Sequence, residues 1–393
     1  MWGALKFMKN SLDYLRKEFK RLFKKSPEFF IRSPGRVNII GEHSDYHDGY
    51  VMPAAINLGI NWAVAKNDLG KVRGYSLNTK EKDLFSINPS KKVKTQWLQY
   101  LQGVVEVLKE DGKKLGGVDI VINGDLPMGG GLSSSSSLAT GFAYILSQFY
   151  TLGLSTNDLT DIGCRAEWWY GTKGGNMDHF AISHGRENCA MFFDPRYFKY
   201  EYVYLPQEIS LVIFETTVRH NQKFSPFAKR RKQAEMGLEI IKNKFPHRKI
   251  NKLRDVSLEI LESLRDEMDD VIYRRCFHPI SERQRVIKTK EALKEKNFKK
   301  VKENMIESHK SLKENYEVTC PELDIAFEEA WNIDGIVAAR MTGGGFGGCT
   351  VNLVRKEKSQ EFAQKLKEVF QEKTQLDPKF YICFADNGIQ IIE

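Results

Sequence analysis

A glycine- and serine-rich stretch between a strand pattern and a helix pattern constrains this chain most. Residues 127–146 read PMGGGLSSSSSLATGFAYIL, directly after the strand-like run VDIVIN and at the start of an apolar helical run. A flexible linker is a poor interpretation, because two elements so close in sequence need none. Two interpretations stay open. The stretch is an ordinary turn with a serine N-cap, or its backbone N–H groups converge on an anion at a helix N-terminus.

This stretch matches neither common nucleotide-binding motif. It has no lysine at the position that G-x-x-x-x-G-K-[ST] requires, and it lacks the spacing and acidic partner of a dinucleotide site. Its serine hydroxyls could still bond phosphate or hold Mg²⁺. An anion site of another kind therefore stays open beside the structural turn.

The order of patterns along the chain predicts a mixed α+β fold in two domains, residues 1–203 and 204–393. Strand and helix patterns alternate to about residue 200, and residues 228–330 read as largely helical and charged. Further strands are expected at GIVAAR and TVNLV, then a helix over 358–371 and a last strand at KFYICF. The N-terminal segment predicts an amphipathic helix with one apolar face: Leu12, Leu15, Phe19, Leu22 and Phe23.

Composition narrows the class of protein. The 393 residues carry a net charge of +9, which favours an anionic partner, and a nucleotide meets that as well as a nucleic acid. The lysines are spread over helical faces, so we expect no nucleic acid and no membrane partner. Six scattered cysteines without a C-x-x-C motif favour a reducing, cytoplasmic compartment over a disulfide framework or zinc site.

Three further constellations could carry chemistry. SPGRVNIIGEHSDYHDGYVMPAAI, residues 33–56, concentrates polar side chains that suit a ligand rich in hydroxyls, although a plain polar loop or a metal site stays open. Glu167 lies in a helical segment and Asp178 follows Gly174-Gly175, so one acid could ligate Mg²⁺ while the other meets a substrate hydroxyl. ARMTGGGFGGCTVNLV, residues 339–354, is either a tight turn or a second wall around phosphate.

Taken together, these four motifs resemble the galactokinase family, within the galactokinase, homoserine kinase, mevalonate kinase and phosphomevalonate kinase superfamily. SPGRVNIIGEHSDYHDGY is similar to the galactokinase signature, PMGGGLSSSSSL to the superfamily's phosphate loop, and MTGGGFGGCTV to its third motif. The resemblance covers roughly residues 28–390. It implies an N-terminal domain like ribosomal protein S5, a ferredoxin-like C-terminal domain, and an active site in the cleft between them.

The resemblance also implies roles for individual residues. Asp178 would be the catalytic base with Arg36 beside it, and Ser135 and Glu167 would hold Mg²⁺. Ser136 and Ser137 would cap and begin the helix. The implied ATP-binding residues are Trp97, Tyr100, Gly129, Gly130, Gly131, Leu132, Ser133, Ser134, Ser135, Gly344 and Gly345. The implied sugar-binding residues are Glu42, His43, Asp45, Gly175, Asp178 and Phe227.

The implied activity is transfer of a phosphoryl group from ATP to the C1 hydroxyl of galactose by a cytoplasmic, monomeric kinase. Ser136 stands where the family usually has alanine, His179 where it has glutamine, and Phe227 where it has a tyrosine that contacts the sugar. The interval from Glu167 to Asp178 is also one residue short. These departures leave N-acetylgalactosamine or galacturonate open as the sugar. A regulator that binds galactose and ATP without turnover is the alternative of another class.

Overall fold

The computed structural model describes residues 2–127, 131–171, 174–218 and 226–393. Over these residues the helices are α1 Trp2–Phe23, α2 Gln96–Glu110, α3 Ser134–Tyr150, α4 Thr156–Tyr170, α5 Met177–His184, α6 Pro226–Lys244, α7 Leu258–Glu262, α8 Asp270–Lys294, α9 Phe298–Ser311, α10 Pro321–Ala330 and α11 Ser359–Thr374. The strands are β1 Phe29–Asn38, β2 Pro53–Asn67, β3 Lys71–Ser76, β4 Lys82–Ser86, β5 Gly117–Gly124, β6 Cys189–Asp194, β7 Lys199–Tyr204, β8 Ile209–Glu215, β9 Ile336–Thr342, β10 Cys349–Arg355, β11 Lys379–Cys383 and β12 Gln390–Ile391.

The first sheet has six strands in the order β12-β1-β2-β5-β3-β4, in which only the β3–β5 pair is parallel. Strands β1, β2 and β5 are buried along most of their length because both of their faces are covered. Ile31 and Trp62 point to the core under α2, α3 and α4, while Phe30 and Ala63 point to α1 on the other face. The predicted amphipathic N-terminal helix is therefore confirmed, since its apolar side chains pack on this outer face.

The second sheet is antiparallel, in the order β11-β8-β10-β9. Helices α10 and α11 cover one face, where Phe214 and Phe370 meet edge to face. Helices α6 and α8 build a separate apolar cluster that reaches Tyr316 and Met341. The mixed α+β class predicted from the order of patterns is confirmed.

The C-terminal tail departs from the sequence prediction. KFYICF was predicted as the last strand, but β12 follows it and pairs with β1, with Ile391 opposite Ile31. Two residues are too short for a hydrophobic pattern to mark a strand. The division at residues 203 and 204 stays a prediction. It places β1–β5 and β8–β11 on separate sides, while the tail returns to the first sheet.

Two general expectations can be compared with the structure. All six cysteines lie in the described part of the chain and none forms a disulfide. Among the described residues, no helix is both long enough and apolar enough to cross a membrane.

Helices α2 and α4 are in close contact at Gly103, where an added Cβ would lie 2.7 Å from the carbonyl oxygen of Ala166. We expect Gly103→Ala to lower the free energy of unfolding by about 1–3 kcal/mol, because overpacking against backbone outweighs the gain in helix propensity. Urea unfolding measures this. Lys109→Ala, at an exposed position of the same helix, is the control and should change stability little. A Gly103→Ala protein as stable as wild type would contradict the close approach.

Candidate active site

A buried ion pair joins the first sheet to the start of α5. Arg36, near the end of β1, donates from Nε to Asp178 Oδ1 at 2.6 Å and from Nη2 to Asp178 Oδ2 at 2.8 Å. Burial alone would raise the pKa of Asp178, but the Arg36 guanidinium and a hydrogen bond from Ser133 lower it below its ordinary value. Asp178 is therefore ionised at neutral pH and stands partly open to solvent.

The glycine–serine loop is attached to this ion pair. Arg36 donates from Nη1 to the carbonyl of Gly131 at 2.8 Å and from its backbone N–H to that of Leu132 at 3.2 Å. Ser133 has a left-handed backbone, with φ 60°, and its hydroxyl donates to Asp178 Oδ2 at 2.5 Å. Helix α3 starts at Ser134, directly after Ser133, so the N-terminal end of this helix lies near Asp178. Gly129 and Gly130 lie outside the described residues.

The last two serines of the run do not cap the helix. Ser136 and Ser137 lie inside α3 and are buried; Ser136 donates to Glu167 Oε1 at 2.8 Å, and Ser137 donates to the carbonyl of Ser33 at 2.9 Å. The prediction that they cap α3 is wrong, because these tertiary acceptors replace the local capping that serine usually provides near a helix start. Ser133, Ser134 and Ser135 are the partly exposed hydroxyls.

Asp45 lies next to the ion pair, against Gly175. A Cβ at position 175 would lie 1.9 Å from Asp45 Oδ2, so only glycine lets the carboxylate sit there. The backbone N–H of Met177 points to the same oxygen at 3.4 Å. Burial, together with the neighbouring charge of Asp178, raises the pKa of Asp45 to about 6. The structure thus brings together Asp45, Gly175 and Asp178, three of the predicted sugar-binding residues.

Glu42 is held by protein donors on both oxygens. Oε2 accepts from Asn38 Nδ2 at 2.8 Å and from Arg340, and Oε1 accepts from Thr342 Oγ1 at 3.0 Å and from the Gly343 backbone at 3.1 Å. These four donors match the capacity of a carboxylate. Glu42 therefore connects the signature loop, residues 39–52 between β1 and β2, to the third motif. Its contact with a sugar hydroxyl stays a prediction, and it requires the sugar to replace one of these four donors.

His43 stands in an aromatic group. Its Nδ1 bonds the Tyr46 hydroxyl at 2.8 Å, and that hydroxyl bonds the Tyr316 hydroxyl at 3.0 Å. The Phe227 ring lies 5.5 Å from the rings of both His43 and Tyr46. Burial and the nearby His278 and Arg340 lower the pKa of His43 well below its ordinary value, so it is neutral.

The two predicted Mg²⁺ ligands meet at one tyrosine. Burial raises the pKa of the Tyr100 hydroxyl and the nearby Glu167 carboxylate raises it further, whereas contact with the Ser135 hydroxyl lowers it. A hydroxyl and a carboxylate are the hard oxygen donors that Mg²⁺ prefers. Within the described ranges no group of three or more His, Cys, Asp or Glu side chains could hold a metal alone.

The predicted adenine-binding residues lie on α2 and are mostly buried. Trp97 is 6% exposed and its ring lies against Gly74, while Tyr100 is 7% exposed and its ring is tilted by 32° to that of Tyr170, with centroids 4.4 Å apart. Trp97 Nε1 is buried and has no hydrogen-bond partner among the residues described here. Contact of either ring with adenine stays a prediction.

The third motif closes against the glycine–serine loop. A Cβ at Gly343 would lie 3.3 Å from the carbonyl oxygen of Gly131, which places the two loops side by side. At Gly345, φ is +80° and a Cβ would lie 2.1 Å from the Val318 carbonyl, so that position requires glycine, whereas the space beside Gly344 is open. The four motifs therefore form one site.

Sequence reasoning missed residues that support the signature loop from the C-terminal half. Arg340 binds Glu42, and Tyr316 continues the hydroxyl chain from His43. On α8, Glu282 is buried and both of its carboxylate oxygens accept hydrogen bonds. Oε1 accepts from the Gly41 backbone N–H at 3.1 Å and from the Ser308 hydroxyl at 2.5 Å, and Oε2 accepts from Arg285 Nε at 2.6 Å. An arginine inside the apolar pattern GIVAAR was the one available signal, because a buried charge needs a partner.

Three protein-family models and several galactokinases match the sequence of this chain. The galactokinase galactose-binding signature matches residues 17–66, the GHMP kinases N terminal domain matches residues 99–186, and the GHMP kinases C terminal domain matches residues 289–372. A galactokinase of Clostridium perfringens strain SM101 is 38% identical over 384 residues, covering 96% of this chain and 98% of the relative. A galactokinase of Streptococcus thermophilus strain ATCC BAA-491 is 34% identical over 386 residues, covering 96% and 99%.

Solved structures agree with the sequence comparisons. The galactokinase of Lactococcus lactis complexed with galactose superposes with a TM-score of 0.92 at 31% identity, covering 97% of this chain and 99% of that one. The mevalonate kinase of Methanococcus jannaschii shares the fold, with a TM-score of 0.62 at 19% identity, covering 91% and 98%. Fold and site together define a kinase of the GHMP class, a phosphotransferase that uses ATP. Within that class, the chain belongs to the galactokinase family.

The buried Glu282 makes stability depend on pH. Burial opposes its ionisation, but Arg285, His278, Arg340 and the Ser308 hydroxyl lower its pKa to about 2. A depressed folded pKa gives stability that is full above the unfolded value near 4.3 and is lost as the pH falls toward 2. We expect Glu282→Gln to lose about 3 kcal/mol at neutral pH, and the gap to wild type to shrink below pH ~4.

Denaturant unfolding at a series of pH values measures this gap. Glu307→Gln is the matched control, because Glu307 is an exposed partner of Lys310 on α9 and should change stability little at any pH. A gap between wild type and Glu282→Gln that stays constant into the acid range would contradict the ionised, paired state of Glu282.

Proposed function

We propose that this chain transfers the γ-phosphoryl group of ATP to the C1 hydroxyl of galactose, giving galactose 1-phosphate and ADP. The observation that supports the proposal is a set of hydrogen bonds in which Arg36 and the glycine–serine loop both contact the Asp178 carboxylate or each other. Asp178 is the candidate base and the loop is the candidate phosphate site. Galactose is supported by the Lactococcus lactis relative, whose structure contains that sugar, at 31% identity over nearly the whole chain.

Asp178 accepts the proton in this mechanism. The C1 oxygen forms a bond to the γ-phosphorus, the bond from that phosphorus to the β–γ bridging oxygen breaks, and the hydroxyl proton moves to an Asp178 carboxylate oxygen. Because Arg36 and Ser133 keep the pKa of Asp178 low, the carboxylate is a weak base in the ground state. The transfer therefore belongs late in the reaction, when bonding to phosphorus makes the hydroxyl acidic.

The phosphates would lie over residues 129–135, where the N-terminal N–H groups of α3 add positive potential. Gly344 and Gly345 would close the site from the third motif. Trp97 Nε1, which lacks a hydrogen-bond partner within the described ranges, supports a place for Trp97, with Tyr100, beside the nucleotide base. Ser135 and Glu167 would hold Mg²⁺, which when bound neutralises charge on the transferring phosphates.

The sugar would lie between Asp178 and the signature loop. Asp45 and His43 would bind its hydroxyl groups against Gly175, and the Phe227 ring would form an apolar wall. The phenylalanine offers no hydroxyl there, but the comparisons favour galactose over N-acetylgalactosamine and galacturonate. Glu42 would contribute mainly by fixing the loop. The monomeric state, the cytoplasmic location and the lack of nucleic-acid or membrane partners stay predictions.

Asp178→Asn tests the base. We expect kcat with galactose and ATP to fall by about 10²–10⁴-fold, because the amide cannot accept the proton. Coupled ADP release measures turnover, and calorimetry with galactose shows whether the sugar site survives. Asp111→Asn is the matched control, since Asp111 pairs with Arg165 on the surface and should leave kcat unchanged.

A sugar panel completes this test: galactose, N-acetylgalactosamine, galacturonate and glucose. Turnover that is fastest with galactose and lost in Asp178→Asn supports the proposal. Binding of ATP and galactose without turnover in the wild-type protein would overturn it in favour of a regulator, and faster turnover of another sugar would overturn the assigned substrate.

The raised pKa of Asp45 leads us to expect that kcat/KM for galactose depends on pH. If its ionised carboxylate accepts a sugar hydroxyl, kcat/KM for galactose should rise with pH through about 6, the pKa to which burial and Asp178 raise Asp45. His43, His47 and His278 do not explain such a limb, because burial lowers the pKa of each. Asp45→Asn should lower kcat/KM and flatten the limb. An unchanged limb in this variant would contradict the assignment.

A further inference from the structure

The Glu167 carboxylate is held from one side by Ser136. The Ser136 hydroxyl is buried within α3 and donates to Glu167 Oε1 at 2.8 Å. Burying a hydroxyl in a packed helix face costs free energy unless the hydroxyl makes a hydrogen bond, and here Glu167 accepts it. This hydrogen bond fixes one carboxylate oxygen of α4 relative to α3, close to the Ser135 hydroxyl.

His179 faces the other oxygen of the same carboxylate. Its Nε2 lies 3.6 Å from Glu167 Oε2, and its Nδ1 lies 3.2 Å from Thr140 Oγ1. If the Thr140 hydroxyl donates to Nδ1, the ring proton is on Nε2 and points toward Glu167. The ring lies directly against Gly163, since a Cβ added there would be only 2.7 Å from Nδ1.

We propose that Ser136 and His179 are positioning residues that hold Glu167 in the orientation its metal-ligand role requires. The inference rests on the proposed function, in which Glu167 and Ser135 hold Mg²⁺. Ser136 uses one lone pair of Oε1, and His179 at 3.6 Å makes a longer polar contact with Oε2 rather than a hydrogen bond, so support and metal ligation are compatible. Ser136 and His179 are two of the positions at which this chain departs from the galactokinase pattern, and both departures meet at this one carboxylate.

Ser136→Ala isolates this support, because it removes a single oxygen. We expect Mn²⁺ to bind about tenfold more weakly, as is usual when an outer partner of a metal ligand is lost. Electron paramagnetic resonance titration of Mn²⁺ with a non-hydrolysable ATP analogue measures the affinity without turnover. Ser137→Ala is the matched control, since Ser137 donates to Ser33 rather than Glu167 and should leave Mn²⁺ affinity unchanged.

Two variants at His179 separate support from packing. His179→Gln keeps an N–H donor near the Nε2 position and should retain most of the Mn²⁺ affinity, whereas His179→Leu removes the donor and should weaken binding. Wild-type Mn²⁺ affinity in both Ser136→Ala and His179→Leu would overturn the positioning role alone. Wild-type Mn²⁺ affinity in Glu167→Gln would overturn the metal role of Glu167 as well, so the two failures can be told apart.

Discussion

The ion pair between Arg36 and Asp178 is the interaction on which the site depends. Two charges taken out of water are costly unless every donor and acceptor is used. Here the guanidinium binds both carboxylate oxygens and the Gly131 carbonyl, and Ser133 adds a further donor. Strand β1, helix α5 and the glycine–serine loop are thereby fixed at one point, so the contacts that keep Asp178 ionised also fix the position of the glycine–serine loop.

A second buried pair, between Glu42 and Arg340, ties the two sheets together. Arg340 belongs to β9, and Glu42 to the loop after β1, and both side chains are almost inaccessible to water. Buried ion pairs are weak evidence for stability, because desolvation offsets attraction. The Glu42–Arg340 pair has strict geometric requirements, and its main effect is to fix the signature loop relative to the third motif. Glu282 and His278 on α8 add to this by binding the Gly41 backbone N–H and the Glu42 carbonyl.

The sequence predicted the fold class and the four motifs because glycine spacing and short polar patterns are local. It did not predict Tyr316 or Glu282, which reach the site from helices more than two hundred residues away in the chain. Ser136 and Ser137 were misjudged for the same reason. A serine near a helix start is usually a cap, and only the packing of α3 against α4 and β1 shows that these hydroxyls have tertiary acceptors.

Asp178 and Asp45 differ in pKa because their surroundings act on the two carboxyl groups in opposite directions. Both are carboxyl groups in the same recess, yet Arg36 and Ser133 lower the pKa of Asp178, whereas burial and repulsion from Asp178 raise that of Asp45. Two such carboxylates cannot both take up charge freely at short range. The fixed charge therefore lies on Asp178, at the phosphate loop, and Asp45 is left as the group whose ionisation a bound sugar can influence through its hydroxyl groups.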